Sequence, residues 1–269
     1  MPEPSIWIDS HAHLSMFEAD EVADVLERAA DRGVIGVLAP ATGRDDLEPT
    51  LALAERYRER VVAAVGVHPH EADSLDASLK RLISDGSGRP GVVAVGEIGL
   101  DYYRQHTPFD QQRMMFREQL KLAEELNLPV IIHNRDASHD LMAILTEWHA
   151  GLARTEHPLK DRPGVLHSFS ADLETGQAAI AMNFCLGITG PVTFTNAPDR
   201  KAIVRNLPLD HLLLETDSPY LTPHPHRGKR NEPVYIPLIA EEIARLHNTS
   251  PKEVAEITYA NARRLFKFD

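Results

Sequence analysis

The chain lacks the features that mark secreted, membrane and modular proteins. One cysteine among 269 residues, Cys185, forbids an intrachain disulfide, and its setting in NFCLGIT reads as a small hydrophobe in a buried strand. No stretch approaches the ~18 apolar residues of a membrane span. The opening MPEPSIWIDSHAH has no basic segment and only a three-residue apolar run before Asp9, so neither signal nor anchor is expected and the expected location is cytoplasmic. Repeats, low-complexity tracts and linkers are missing, and residues 1–269 are read as one domain of a length that α/β barrels fill. Basic residues are in deficit, 28 against 40 acidic ones, for a net charge of −12. A broad electrostatic grip on a polyanion would meet the protein's own field, so a nucleic-acid substrate needs local cations to hold it.

What is present is a regular alternation. Runs rich in Val, Ile and Leu recur near residues 6, 34, 61, 92, 129, 164, 184 and 211, most of them continuously apolar, as strands covered on both faces must be. Between them lie segments with apolar residues at three- and four-residue spacing, such as FDQQRMMFREQLKLAEELN, several ending in Gly or Asn. Two more helices are expected near 233–247 and 251–266, the second opened by the cap in TSPKE. Eight β/α units predict an α/β protein of the (β/α)₈ TIM-barrel class with extra C-terminal helices, an open doubly wound sheet being the alternative. In such barrels the active site lies at the C-terminal ends of the strands.

Polar residues concentrate at those ends. His11 and His13, two apart on a strand, point the same way and can share an ion. Asp9 has the same parity and is placed beneath them as a partner for an imidazole. His-x-His alone is weak, and His133 or His167 singly is as well explained by a hydrogen-bonded core histidine. Together with Glu97 and Asp217, however, five strands deliver imidazole or carboxylate groups at one rim, which chance does not readily arrange. Four His and two carboxylates exceed the needs of one tetrahedral ion. They suit two divalent ions, Mg²⁺, Mn²⁺ or Zn²⁺, spanned by Glu97, a common device for hydrolysing phosphate esters.

Other residues admit two readings. His68 would contact a scissile phosphate or bond a loop carbonyl, and His70 reads as structural. Glu215 reads as an acid supporting a ligand, or as part of a buried ion pair. Arg227, Lys229 and Arg230, just past the Asp217 strand, would bind flanking phosphates or form a solvated cluster. Tyr102 and Tyr103 would stack on a base or pack beneath the rim.

Taken together, DSHAHL at 9–14, GVHPH at 66–70, GEIGLDYY at 96–103, IHNRDA at 132–137, LHSFS at 166–170, ETDSPYLTP at 215–223 and RGKRNEP at 227–233 resemble the TatD-like metal-dependent hydrolases, the TatD DNase family of the amidohydrolase superfamily. The resemblance spans the chain. It implies that His11 and His13 bind one metal, His133 and His167 the other, that Glu97 bridges them, and that Asp217 ligates the first metal and manages the proton of the attacking water. It implies a DNase, including 3′ to 5′ exonuclease action on single-stranded DNA, with RNA or tRNA as further substrates. The segment after His167 departs from the pattern: Ser168, Ser170 and Ala171 stand where many relatives have Cys, Thr and Gly. Rival functions are D-aminoacyl-tRNA deacylation, hydrolysis of other esters or C–N bonds, and a catalytically silent metal-binding scaffold. Amidohydrolases that bridge their metals with a carboxylated lysine are disfavoured, since none of the seven Lys closes a strand. No membrane and no obligate protein partner are expected.

Overall fold

The computed structural model describes residues 5–267 apart from 75 and 105. The eight apolar runs form eight parallel strands: β1 (Trp7–Asp9), β2 (Val34–Pro40), β3 (Val61–Val65), β4 (Val92–Asp101), β5 (Val130–Arg135), β6 (Gly164–Leu166), β7 (Cys185–Ile188) and β8 (Leu212–Leu214). They pair in sequence order. Helices α1 (Val22–Ala30), α2 (Arg44–Arg56), α3 (Ala77–Ser87), α4 (Phe109–Leu126), α5 (Ser138–Arg154), α6 (Leu173–Ala181) and α7 (Pro198–Asn206) fill the intervals, and α8 (Ile236–His247) and α9 (Pro251–Phe266) follow β8. This is the TIM barrel that the alternation predicts.

The continuous apolar character of the strands has its cause in two separate cores. The larger lies between strands and helices. The smaller takes one residue from each strand, Ile8, Leu38, Ala64, Ala94, Ile131, Val165, Cys185 and Leu213, and so fills the barrel interior. It is completed by Ala262, Leu265 and Phe266 of α9. That helix is tied to chain entering the strands: Asn261 donates to the Leu209 and Leu212 carbonyls at 2.9 Å each, and Arg162, just before β6, donates to the Leu265 carbonyl at 3.3 Å. The extra C-terminal helix thus plugs the N-terminal end of the barrel and leaves the other end open. Truncating a buried phenylalanine such as Phe266 to alanine costs about 3–5 kcal/mol.

Helix ends follow local chemistry. Ser250 accepts from the Glu253 backbone N–H at 3.1 Å to start α9, and Asn127 takes the left-handed conformation (φ 53°) that stops α4.

The barrel closes between β1 and β8 through bonds that continue beyond both strands. Ser10 N–H donates to the Leu214 carbonyl (2.9 Å), Asp217 N–H to the His11 carbonyl (2.9 Å), and His13 N–H to the Ser218 carbonyl (2.8 Å). Asp9 serves this seam and not an imidazole: its fully buried carboxyl accepts from the backbone N–H of His11 (3.2 Å) and Thr216 (2.9 Å), and pairs with the Thr216 hydroxyl at 2.5 Å. Burial pushes Asp9 up to about 7 against the pull of these hydrogen bonds.

Cys185 sits in the inner core at 2% exposure, and burial pushes its thiol up to about 11. Native protein at pH 8 is expected to show no reaction with a chromogenic disulfide reagent, and one thiol per chain after addition of guanidinium. Prompt stoichiometric reaction of the native chain would contradict this placement.

Candidate metal centre

The open end of the barrel holds a cleft of about 870 Å³, whose floor includes His13, His68, Glu97, Asp101, His133, His167 and Asp217. The structure brings all six expected ligands together there. His11 and His13 face each other through their Nε2 atoms at 3.3 Å. Asp217 Oδ1 lies 3.4 Å from His13 Nε2 and 3.9 Å from the Nε2 atoms of His11 and His167. Donors about 2.0–2.2 Å from one ion at tetrahedral angles lie about 3.4 Å apart, and these separations bracket that value. Three overlapping groups result: His11, His13 and Asp217; His11, Glu97 and His167; His68, Glu97 and His133. Nitrogen and oxygen donors that converge without thiolate fit hard or borderline divalent ions.

Glu97 stands at the middle. Its Oε2 faces His11 (3.4 Å) and His13 (3.7 Å), while its Oε1 faces His133 (2.8 Å), His68 (3.6 Å) and His167 (3.7 Å). Burial opposes charge on Glu97, yet the surrounding imidazoles, His167 first, hold its carboxyl well below the usual range. Burial likewise opposes charge on His167, and the carboxylates of Glu97, Glu215 and Asp217 outweigh it, raising the ring to about 10. Asp217, opposed by burial and favoured by His13 and His167, is lowered. It takes a left-handed backbone (φ 57°), which turns the carboxylate out of the β8 line toward the histidines.

Two of the candidate ligands, His167 and His133, are held from behind by carboxylates. Glu215, fully buried, accepts from His167 Nδ1 (3.1 Å), the Ser168 backbone N–H (2.9 Å) and Ser10 Oγ (3.3 Å), the supporting role that its strand parity suggests. Space for it exists only because residue 187 is glycine: a Cβ there would come within 2.1 Å of the Glu215 carboxyl. Asp101, which no local sequence signal marks, is a second such group. Its Oδ2 accepts from His70 Nε2 (2.8 Å) and His133 Nε2 (3.2 Å), and its Oδ1 from the backbone N–H of Tyr103 and Arg104 at 2.9 Å each. With Nε2 engaged by Asp101, His133 presents Nδ1 to Glu97. Burial opposes charge on Asp101, and these hydrogen bonds hold its carboxyl well below the usual range.

Two glutamines seven apart on α4 fix the loops that carry these groups. Gln119 grips both backbone groups of Val67 (2.8 and 2.9 Å), and Gln112 those of Asp101 (2.8 and 3.0 Å). His68 is held in one tautomer: its Nδ1 accepts from the His70 backbone N–H at 3.2 Å, so the ring proton lies on Nε2, toward Glu97. Burial keeps this ring well below its ordinary pKa, hence neutral, despite Glu97.

The expected cationic wall is located elsewhere. Arg227 lies over the Phe194 ring at 4.0 Å; Arg230 pairs with Glu21 (2.8 Å) and Glu232 (3.7 Å); Lys229 is exposed. None of the three lines the cleft: Arg230 is drawn to the start of α1 and Arg227 to Phe194 beyond β7. The cations that do line it are Arg104, Arg135 and Arg200. Arg135 stacks on exposed Tyr103 at 4.0 Å, whereas Tyr102 packs on Phe109 and donates to Asp140 at 2.7 Å, a structural role. The sequence signal for Arg135 is its position two residues beyond His133, with the same strand parity.

Substituting Glu215→Gln or Asp101→Asn keeps the shape and removes the acceptor charge behind a ligand. Each is expected to weaken metal affinity by about 10–100-fold, measured by calorimetric titration of the metal-free protein. Wild-type affinity in both would show that these carboxylates do not support the centre.

Residues 8–267 match the family described as TatD related DNase. The metal-dependent hydrolase YabD of Bacillus subtilis is 41% identical over 262 residues, covering 97% of this chain and 99% of its own. The 3′-5′ ssDNA/RNA exonuclease TatD of a Rahnella species is 34% identical over 258 residues, 94% of each chain. Among solved structures, the TatD homologue YJJV of Escherichia coli K12 superposes with a TM-score of 0.88 at 32% identity, covering 97% of this chain and 98% of its own. A match that runs from β1 to the end of α9 takes in every strand and the whole donor set, and the chain belongs to the TatD-related DNase family of metal-dependent hydrolases.

Proposed function

We propose that the protein hydrolyses phosphodiester bonds in single-stranded nucleic acid with two divalent ions, Mg²⁺, Mn²⁺ or Zn²⁺. The observation that carries this reading is the division of Glu97: one oxygen faces His11 and His13, the other His133, His68 and His167, so that this carboxylate would serve both ions. His11, His13 and Asp217 would hold one ion, His133 and His167 the other. When bound, such a pair lowers the pKa of a water and offsets the charge that develops on a phosphate.

The chain's own groups then divide the remaining work. Asp217, ionised and turned into the cleft, accepts the proton released by the attacking water. His68, neutral with its proton on Nε2, donates a hydrogen bond to a phosphate oxygen. Arg104 and Arg135 on the cleft wall meet the strand's phosphates. Opposite chemistry faces them across the floor: Met16, Tyr220 and Leu221 are 48%, 52% and 37% exposed and line the same cleft, a surface on which a base can stack. Direction of attack from the 3′ end comes to this chain from the name of the Rahnella relative.

The assay is digestion of a 5′-labelled single-stranded DNA with Mg²⁺ or Mn²⁺. Stepwise shortening from the 3′ end is expected, stopped by a chelator and restored by added metal. Glu97→Gln should lower turnover about a thousand-fold, the effect of several kcal/mol of charge stabilisation. No cleavage by wild type, with release of the amino acid from D-aminoacyl-tRNA instead, would overturn the phosphodiesterase reading, as would undiminished cleavage by Glu97→Gln.

A further inference from the structure

A half-buried arginine in an acidic protein ordinarily has a carboxylate beside it. Here half-buried Arg89 holds both Glu48 and Glu55, and half-buried Arg113 holds Asp140. Half-buried Arg162 lacks a carboxylate but is shared between the Leu265 and Asn127 carbonyls away from the cleft; Arg200, in the first turn of α7, differs from all of these. Its Nη1 donates to the Phe169 carbonyl at 3.0 Å, and among the described residues no carboxylate lies within ion-pair distance of it. A guanidinium has five N–H donors in a planar fork, so most of this one is uncommitted. Burial without a counter-ion is costly and pulls its pKa down. Since Arg200 lines the metal cleft, the anion that would relieve it must arrive through that cleft.

The carbonyl that anchors Arg200 lies between two serines that line the same wall, Ser168 and Ser170. Ser170 is exposed, and the Ser168 hydroxyl lies 3.1 Å from that of Thr189, where either oxygen can donate. Ser168 immediately follows His167, and Ser170, three residues on, can stand no more than about 11 Å from it along the chain. A guanidinium fork with two hydroxyl donors matches the tetrahedral oxygens of a phosphate.

We infer that Arg200, Ser168 and Ser170 form a second phosphate subsite, which takes a phosphate neighbouring the scissile one and so selects chains over isolated diesters. This rests on the phosphodiesterase reading above. It adds that the β6–β7 side of the cleft measures substrate length: a nucleic acid with a second phosphate next to the scissile one engages both the metals and Arg200, whereas a diester with a single phosphate engages only the metals.

The test compares KM for octathymidylate and for bis(p-nitrophenyl) phosphate, which has one phosphate, in wild type, Arg200→Gln and Arg200→Lys. Glutamine keeps an amide N–H for the Phe169 carbonyl and removes the charge; lysine restores the charge. In Arg200→Gln, KM for octathymidylate is expected to rise about ten-fold, the effect of one charge-assisted hydrogen-bonded contact, with a rise at least about five times smaller on the single-phosphate diester. Arg200→Lys should recover most of the loss. The slope of log affinity against log salt for labelled octathymidylate, read by fluorescence anisotropy, should shrink by about one in Arg200→Gln and return in Arg200→Lys. Equal KM rises on both substrates, an unchanged octathymidylate KM, or lysine no better than glutamine would overturn the subsite. Should wild type turn over neither substrate, the phosphodiesterase reading fails by itself, and the anisotropy still decides: equal slopes for wild type and Arg200→Gln overturn the subsite.

Discussion

Removing a carboxylate from water costs several kcal/mol unless nearby groups replace its hydration. Glu97, 2% exposed, keeps its charge at the mouth of this barrel because five imidazoles, from the ends of β1, β3, β5 and β6, face its two oxygens. The arrangement works in both directions. The carboxylate and its partners Asp217 and Glu215 raise His167, and the histidines lower Glu97. A cluster of this kind is held together by charges that divalent ions can replace, which is why the same residues form a stable centre and a binding site.

The rest of the fold keeps that cluster in register. The inner core, one side chain per strand plugged by α9, sets the barrel's radius and closes the end away from the chemistry. The β1–β8 seam is joined by backbone bonds from His11, His13 and Asp217 themselves, so closing the barrel also aligns these three groups, one of the clusters that could hold an ion. Asp9 and Thr216 fasten the same seam one residue away. Behind the ligands, Glu215 and Asp101 each fix one nitrogen of a histidine, and Gln112 and Gln119 make α4 a brace for two of the loops.

How much of this is legible in the sequence depends on whether the relevant signal is local. The strands are, because burial on both faces demands unbroken apolar runs, and the six candidate ligands are, because each follows such a run. Glu215 follows from parity with Asp217. Asp101 has that parity with Glu97 too, but nothing in GEIGLDYY announces that β4 continues to residue 101 and reaches His133 from the side. Asp9 shows the converse: it has the parity of His11 and His13, yet it lies deeper on β1, where the Thr216 N–H and hydroxyl of the neighbouring β8 side occupy its carboxyl. The arginines illustrate the limit of adjacency. Arg227, Lys229 and Arg230 follow the Asp217 strand closely and fold outward, where Glu21 and Phe194 engage two of them. Arg200 arrives in the cleft from a helix, by a route that only the closed barrel makes visible.

The central claim, that Glu97 spans two ions, has a direct measurement in the electron paramagnetic resonance of the manganese-loaded protein. Two Mn²⁺ per chain with an exchange-coupled spectrum are expected, with that coupling lost in Glu97→Gln while His11, His13 and Asp217 still retain one ion. A single ion per chain, or two that remain uncoupled in the wild-type protein, would contradict it.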